Sequence, residues 1–265
     1  MGEPDFSART RALLGNLPFE ELGRPLVAIS GLGGVGGAAF MTLLRAGVRR
    51  FRLAENGIFD PPDMNRQWGA IGPSMGRPKL EVYEEWARGI NPEVEMETFP
   101  EGIHLENIEA FLTGIDVYLG AIDIDKGREV KDAGEKIVRR EGIPLFTGGA
   151  IGMGAIMINY HPEGMTPADF WAQVARRSDG ASLFPSFLRG FFDKRLMENM
   201  LKSFPSGTPA TCSTGAGQAG LLVGTEILIH LLRRTGLAER RTIFAPRFVV
   251  LDLARMEMSI VDVTA

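Results

Sequence analysis

The 265-residue chain is 45% hydrophobic and 23% charged, which excludes a disordered or collagen-like polymer and fits one large globular domain. Its formal net charge of −4, from 29 basic and 33 acidic residues, provides no broad positive field for nucleic acid or an anionic membrane, and neither partner is expected. A single cysteine, Cys212, excludes an internal disulfide and a four-thiolate zinc site; with only three histidines, no zinc is expected and the compartment reads as cytoplasmic.

Residues 1–12 are polar, unlike a secretory leader. Residues 5–15 read as a short helix. The apolar run 26–30 (LVAIS), between Pro25 and Gly31, reads as a buried parallel strand. A small-residue-rich helix over 34–47 and a strand over 50–55 complete a βαβ unit. The stretch 56–78 is dense in proline and glycine, and a loop of that length in a compact domain is usually functional or partly folded. Helices are predicted over 79–89, 103–113 and 126–141, alternating with strands over 94–99, 116–122 and 143–147. A strand-like run follows at 155–160, then a helical insertion at about 166–204. A Gly/Ser/Thr/Pro loop over 205–217 leads into a helix over 218–234. Its apolar part, 219–232, is too short to span a bilayer. Residues 247–253 and 256–263 read as an antiparallel hairpin turning at Ala254-Arg255.

The expected fold is therefore α/β, a doubly wound Rossmann-like sheet. Its N-terminal half, 1–150, is parallel and is the expected nucleotide-binding half; its C-terminal half, 151–265, is mixed or antiparallel and carries the insertion. The whole chain is taken as one domain, 1–265.

The run Gly31-Leu-Gly33-Gly34-Val-Gly36 follows a strand and opens a helix. Glycines let a phosphate approach the backbone, and the helix N-terminus supplies N–H donors and positive dipole. Glu55, 19 positions beyond Gly36, can accept hydrogen bonds from a ribose diol. Asn65-Arg66-Gln67 and Gly76-Arg-Pro-Lys79 add cations, and Asp123 and Asp125 follow the strand 116–122. Arginine and lysine suit a triphosphate and its pyrophosphate leaving group. A carboxylate at a strand's C-terminal end suits Mg²⁺. The set favours nucleotidyl chemistry over hydride transfer.

The chain resembles the ThiF/MoeB/HesA superfamily, the ubiquitin-activating-enzyme-like adenylyltransferases. The resemblance rests on GLGGVGG at 31–37, AGV at 46–48, the acidic strand end at Glu55 and MNRQ at 64–67. It continues through G-x-P-K at 76–79, INP at 90–92 and AID at 121–123 with Arg128 following, and covers about residues 7–150. It implies a homodimer that binds Mg-ATP and adenylates a carboxylate, often the C-terminus of a ubiquitin-like or sulfur-carrier protein or a peptide. By position, Gly31, Gly33, Gly34, Gly36, Glu55, Asn65 and Gln67 would hold the nucleotide, with Glu55 on the ribose. Arg66, Gln67 and Lys79 would contact phosphates, and Asp123 would coordinate Mg²⁺. Arg9, with Arg11 as the alternative, would reach the partner subunit's ATP. Cys212 is a candidate nucleophile; its bland reading is a small buried residue.

The pattern departs from the family at Glu55, where aspartate is usual, at Gly57, where a second acid is usual, and at Pro62-Asp63; the paired C-x-x-C motif is absent. Two other readings stay open: a catalytically silent scaffold or regulatory subunit, and an NAD(P)-dependent oxidoreductase. His104, His161 and His230 lack ligand-like spacing.

Overall fold

The computed structural model describes residues 6–122, 127–180, 184–206 and 210–265. Two short helices, α1 (Ala8–Leu14) and α2 (Asn16–Leu22), precede the first strand, β1 (Leu26–Ser30). α1 falls within the helix expected over 5–15, whereas α2, beyond Gly15 at φ +84°, is an additional helix. The chain then alternates through α3 (Gly34–Ala46), β2 (Arg50–Ala54), α4 (Lys79–Ile90), β3 (Glu95–Phe99) and α5 (Ile108–Leu112). It continues through β4 (Val117–Gly120), α6 (Arg128–Arg140) and β5 (Leu145–Phe146).

These strands form a parallel sheet in the order β3-β2-β1-β4-β5. Every residue of β1 is buried, as expected of a strand covered on both faces. The order reverses between β1 and β4, which opens a crevice beyond their carboxyl ends. Gly31 occupies this switch point at φ +90°, and its amide donates to the Ala54 carbonyl at 2.8 Å.

The C-terminal half forms a separate antiparallel sheet. Its strands are β6 (Gly148–Ile151), β7 (Gly154–Met157), β8 (Arg247–Asp252) and β9 (Glu257–Asp262), in the order β6-β7-β8-β9. The glycine-rich β6 carries too few branched or aromatic residues to be legible from composition. Alternation along the sheet separates two cores. Met157 and Val249 join the main core, whereas Ile156, Phe248 and Val250 join a second one with Phe170, Leu188 and Met200. That second core is supplied by the expected helical stretch, here α7 (Pro167–Arg176), α8 (Ser186–Arg189) and α9 (Lys194–Ser203).

The last helix, α10 (Ser213–Leu232), starts five residues before its expected boundary. Including the turn that follows, Ser213–Thr235 is long and apolar enough to cross a membrane by length and composition, but most of it is buried. It packs against α3 on one side and β6 and β7 on the other, which explains an apolar surface all round. The contact with α3 runs through small residues in steps of four. A Cβ at Gly34 would lie 2.9 Å from Ala216 Cβ, one at Gly220 2.5 Å from Ala38 Cβ, and one at Gly224 3.3 Å from Thr42 Cβ. The positions advance together, so α3 and α10 are parallel and their N-termini share one end of the molecule. Buried Glu226 ties α10 to the following loop by pairing with Arg240 and accepting the Ile243 amide at 2.6 Å.

Candidate functional site

The expected glycines have different duties. A Cβ at Gly31 would press on the Ala121 carbonyl at 2.7 Å, and one at Gly36 would overlap the Gly31 carbonyl at 1.8 Å. Those two close the strand-to-helix turn, while Gly34 admits α10. Gly33 is different: the nearest atom to its missing Cβ is Gln67 Nε2, 3.9 Å away. This open surface lies at the N-cap of α3, where among the described residues no side-chain cap hydrogen bond is made. N–H groups and dipole at such a helix start can receive an anion.

Glu55 folds back over this turn. One carboxylate oxygen accepts the Leu32 amide and the other the Gly57 amide, both at 2.7 Å. Each oxygen keeps further acceptor capacity, so a ribose diol can still be received. A side chain at Gly57 would stand 2.9 Å from Glu55 Oε1 and 3.3 Å from Lys79 Cε. The absent second acid therefore leaves room for the longer glutamate and the lysine stem.

The loop 56–78 is folded rather than open. Backbone bonds from Phe59 to Arg77 (3.0 Å), Gly76 to Phe59 (2.9 Å) and Lys79 to Gly57 (2.9 Å) zip its two arms together. Buried Phe59 anchors one arm, and Lys79 Nζ lies 5.5 Å from its ring centroid. A short 3-10 turn, Pro61–Asn65, delivers Asp63, Arg66 and Gln67.

Asp63 joins these arms. Its carboxylate meets Lys79 Nζ at 3.0 Å, Arg66 Nη2 at 3.4 Å and Gln67 Nε2 in a short hydrogen bond. The Asp60 amide donates to it at 3.4 Å. Arg66 is further held by the Pro62 carbonyl and Asn65 Oδ1, both at 3.0 Å. Asn65 in turn donates to the Thr211 carbonyl at 3.0 Å, linking the loop to the start of α10. Sequence reasoning singled out Lys79, Arg66 and Gln67 but left Asp63 as a departure from pattern. Its placement three residues before Arg66 and four before Gln67, in a Pro-rich turn, was the available signal.

Gln67 Oε1 is buried and has no partner among the described residues. A phosphate cannot satisfy this acceptor, but a hydroxyl or amine of a nucleoside can. The open Gly33 surface, the cations and this orphaned acceptor together fit a nucleotide. Asp123 and Asp125 lie outside the described residues, and those that are described contain no cluster of metal-ligating side chains.

Cys212 is the N-cap of α10, with Sγ 3.7 Å from the Gly152 carbonyl. Because Gly34 abuts Ala216, this cysteine lies at the same end as the α3 turn. Arg9 is exposed on α1, and among the described residues no contact joins it to Glu55, Asp63 or Lys79. Arg11 stacks on Phe19 at 4.2 Å and bonds Glu20 at 2.6 Å, holding that carboxyl below its ordinary range. Of the three histidines, His104 meets Glu106, His161 packs against Phe244, and His230 packs against Phe146 and Phe244.

The sequence profile of the ThiF family matches residues 8–265. The chain is 30% identical to protein HesA of Nostoc sp. over 141 residues, covering 53% of this chain and 54% of that protein. It is 32% identical to the tRNA threonylcarbamoyladenosine dehydratase of Bacillus subtilis over 117 residues, 44% of this chain and 46% of that protein. The aligned region thus spans about half the length of these curated relatives. In fold, the chain is similar to MccB of Escherichia coli, solved with AMPCPP and MccA. The TM-score is 0.73 at 14% identity, covering 99% of this chain and 72% of that one.

Proposed function

The chain belongs to the ThiF family, and we propose that it is an ATP-dependent adenylyltransferase that activates a carboxylate and releases pyrophosphate. The observation that carries this reading is the gathering of Lys79, Arg66 and Gln67 beside Glu55 and the uncapped α3 turn. In this reading Glu55 receives the ribose hydroxyls and the α3 amides receive phosphate oxygens. Gln67 Oε1 accepts a nucleoside donor. The acceptor carboxylate attacks the α-phosphorus, and the bond to the departing pyrophosphate breaks. A carboxylate is ionised at neutral pH, so the site needs alignment and charge neutralisation rather than a strong base. Lys79 and Arg66 supply the charge. Mg²⁺ accompanies ATP, with Asp123 proposed as its protein ligand.

The proposed acceptor is the C-terminus of a ubiquitin-like or sulfur-carrier protein, or a peptide. Support comes from the relative named SAMP-activating enzyme E1 of Haloferax volcanii, at 29% identity, and from the fold shared with MccB. A homodimer is proposed, with exposed Arg9 serving the neighbouring subunit's site. A silent scaffold is the second reading, favoured by Asp63 already occupying the cation head groups.

Calorimetric titration with Mg-ATP and with NADH, on the wild-type chain and on Lys79→Ala, tests the proposal. ATP binding that falls at least tenfold in the variant is expected. A folded wild-type chain that ignores ATP would contradict it, and selective NADH binding would point to an oxidoreductase instead.

A further inference from the structure

We propose that Asp63 is a positioning residue that acts as an internal counter-anion, holding Lys79, Arg66 and Gln67 on one point and competing with phosphate for Lys79. This deepens the adenylyltransferase reading and rests on it for the identity of the phosphate ligand. Lys79 comes from the start of α4, whereas Arg66 and Gln67 follow the 3-10 turn, so among the described residues only the Asp63 carboxylate joins the two arms at their head groups. Without it, the two cations would share no carboxylate among the described residues to offset their repulsion.

The contacts leave the cluster able to work. Lysine has three donors and arginine five, and Asp63 takes one contact from each. The cluster of one carboxylate and two cations carries net +1, where a neutral residue at 63 would leave +2. Asp63 therefore lowers resting affinity for phosphate while fixing where the cations stand. Phosphate and the buried Asp63 carboxylate share the Lys79 ammonium, so occupancy of the site and the Lys79 position become coupled.

The decisive variant is Asp63→Asn, which keeps the size, can still accept from Gln67, and removes the charge. Sodium tripolyphosphate is the probe, titrated calorimetrically at low and at high salt. The variant is expected to bind it roughly tenfold more tightly than wild type at low salt, the gain shrinking as salt screens the charges. In the free protein, acetic anhydride should acylate Lys79 faster in the variant, and tripolyphosphate should restore its protection. A residue with only a structural role would give weaker binding on substitution, never tighter; equal or weaker tripolyphosphate binding by a folded variant overturns the proposal. If Asp63→Asn fails to fold, Asp63→Ser, shorter and also neutral, is read by the same criterion. A variant that gains tripolyphosphate affinity while wild type ignores Mg-ATP would leave the counter-anion in place and remove the adenylyltransferase reading.

Discussion

Replacing Lys79 with methionine isolates the energetics of the Asp63 cluster. The side chains of Lys79 and Asp63 are 13% and 8% exposed, with their charged atoms 3.0 Å apart. Breaking a buried pair by removing one partner typically costs about 3–5 kcal/mol, because the remaining charge stays buried. Here Arg66 and Gln67 still face Asp63, so about half that cost, ~2 kcal/mol, is expected. For a chain of this size the midpoint of thermal unfolding should then fall by roughly 4–8 °C. Urea unfolding at pH 7, followed by far-UV circular dichroism, gives the free energies. The double variant Lys79→Met/Asp63→Asn removes the stranded charge as well, and should be more stable than the sum of the single effects by about 1–2 kcal/mol. A Lys79→Met variant within ~0.5 kcal/mol of wild type, or strictly additive single and double variants, would refute the claim that the two groups are coupled in the folded protein.

Three other outcomes are expected. Gly220→Val would push a side chain into Ala38 Cβ at 2.5 Å and the Val35 carbonyl at 2.7 Å. It should cost roughly 3 kcal/mol or more in urea unfolding, whereas Gly72→Ala, with open space around it, should stay within ~0.5 kcal/mol; equal stability of the two variants would count against tight α3–α10 packing. Burial, assisted by Arg234 and Arg233, lowers the His230 pKa to about 4. The unfolded chain therefore binds this proton more readily, and its contribution to stability is present above about pH 6.5 and lost as pH falls toward 4. With solvent screening at this partly open site, the loss should be roughly 1–2 kcal/mol. His230→Phe should flatten the pH profile of the unfolding midpoint, and an unchanged slope would remove His230 as the cause. Glu55→Ala frees the Leu32 and Gly57 amides; a loss of ~1–2 kcal/mol in unfolding free energy is expected, together with at least tenfold weaker Mg-ATP binding, and unaltered ATP affinity would take Glu55 off the nucleotide.

Much of the parallel half could be read from local pattern. The unbroken apolar run 26–30 became β1 at the expected residues, and the glycine turn opened α3 where a strand-to-helix junction required it. Strong periodicity also located α4 to within a residue. Boundaries failed where local signals were mixed. The short α2 beyond Gly15 carried no strong periodicity, the glycine-rich β6 had no apolar alternation, and α10 began within a segment whose glycines and hydroxyl residues resemble a loop.

The sequence by itself determined the alternation of strands and helices, the glycine turn and the cation set of the proposed phosphate site, because those follow from short-range periodicity, backbone freedom and residue chemistry. The tertiary structure alone decided that the glycines of α10 are contact points for α3, that loop 56–78 zips shut, and that Asp63 unites Lys79, Arg66 and Gln67. Those features depend on distances between segments far apart in the chain: Gly34 meets Ala216, and Asn65 reaches Thr211, only after the two halves have packed. A carboxylate in a Pro-rich turn carries the same local signal whether it is solvated or buried, and the packing around it decides which.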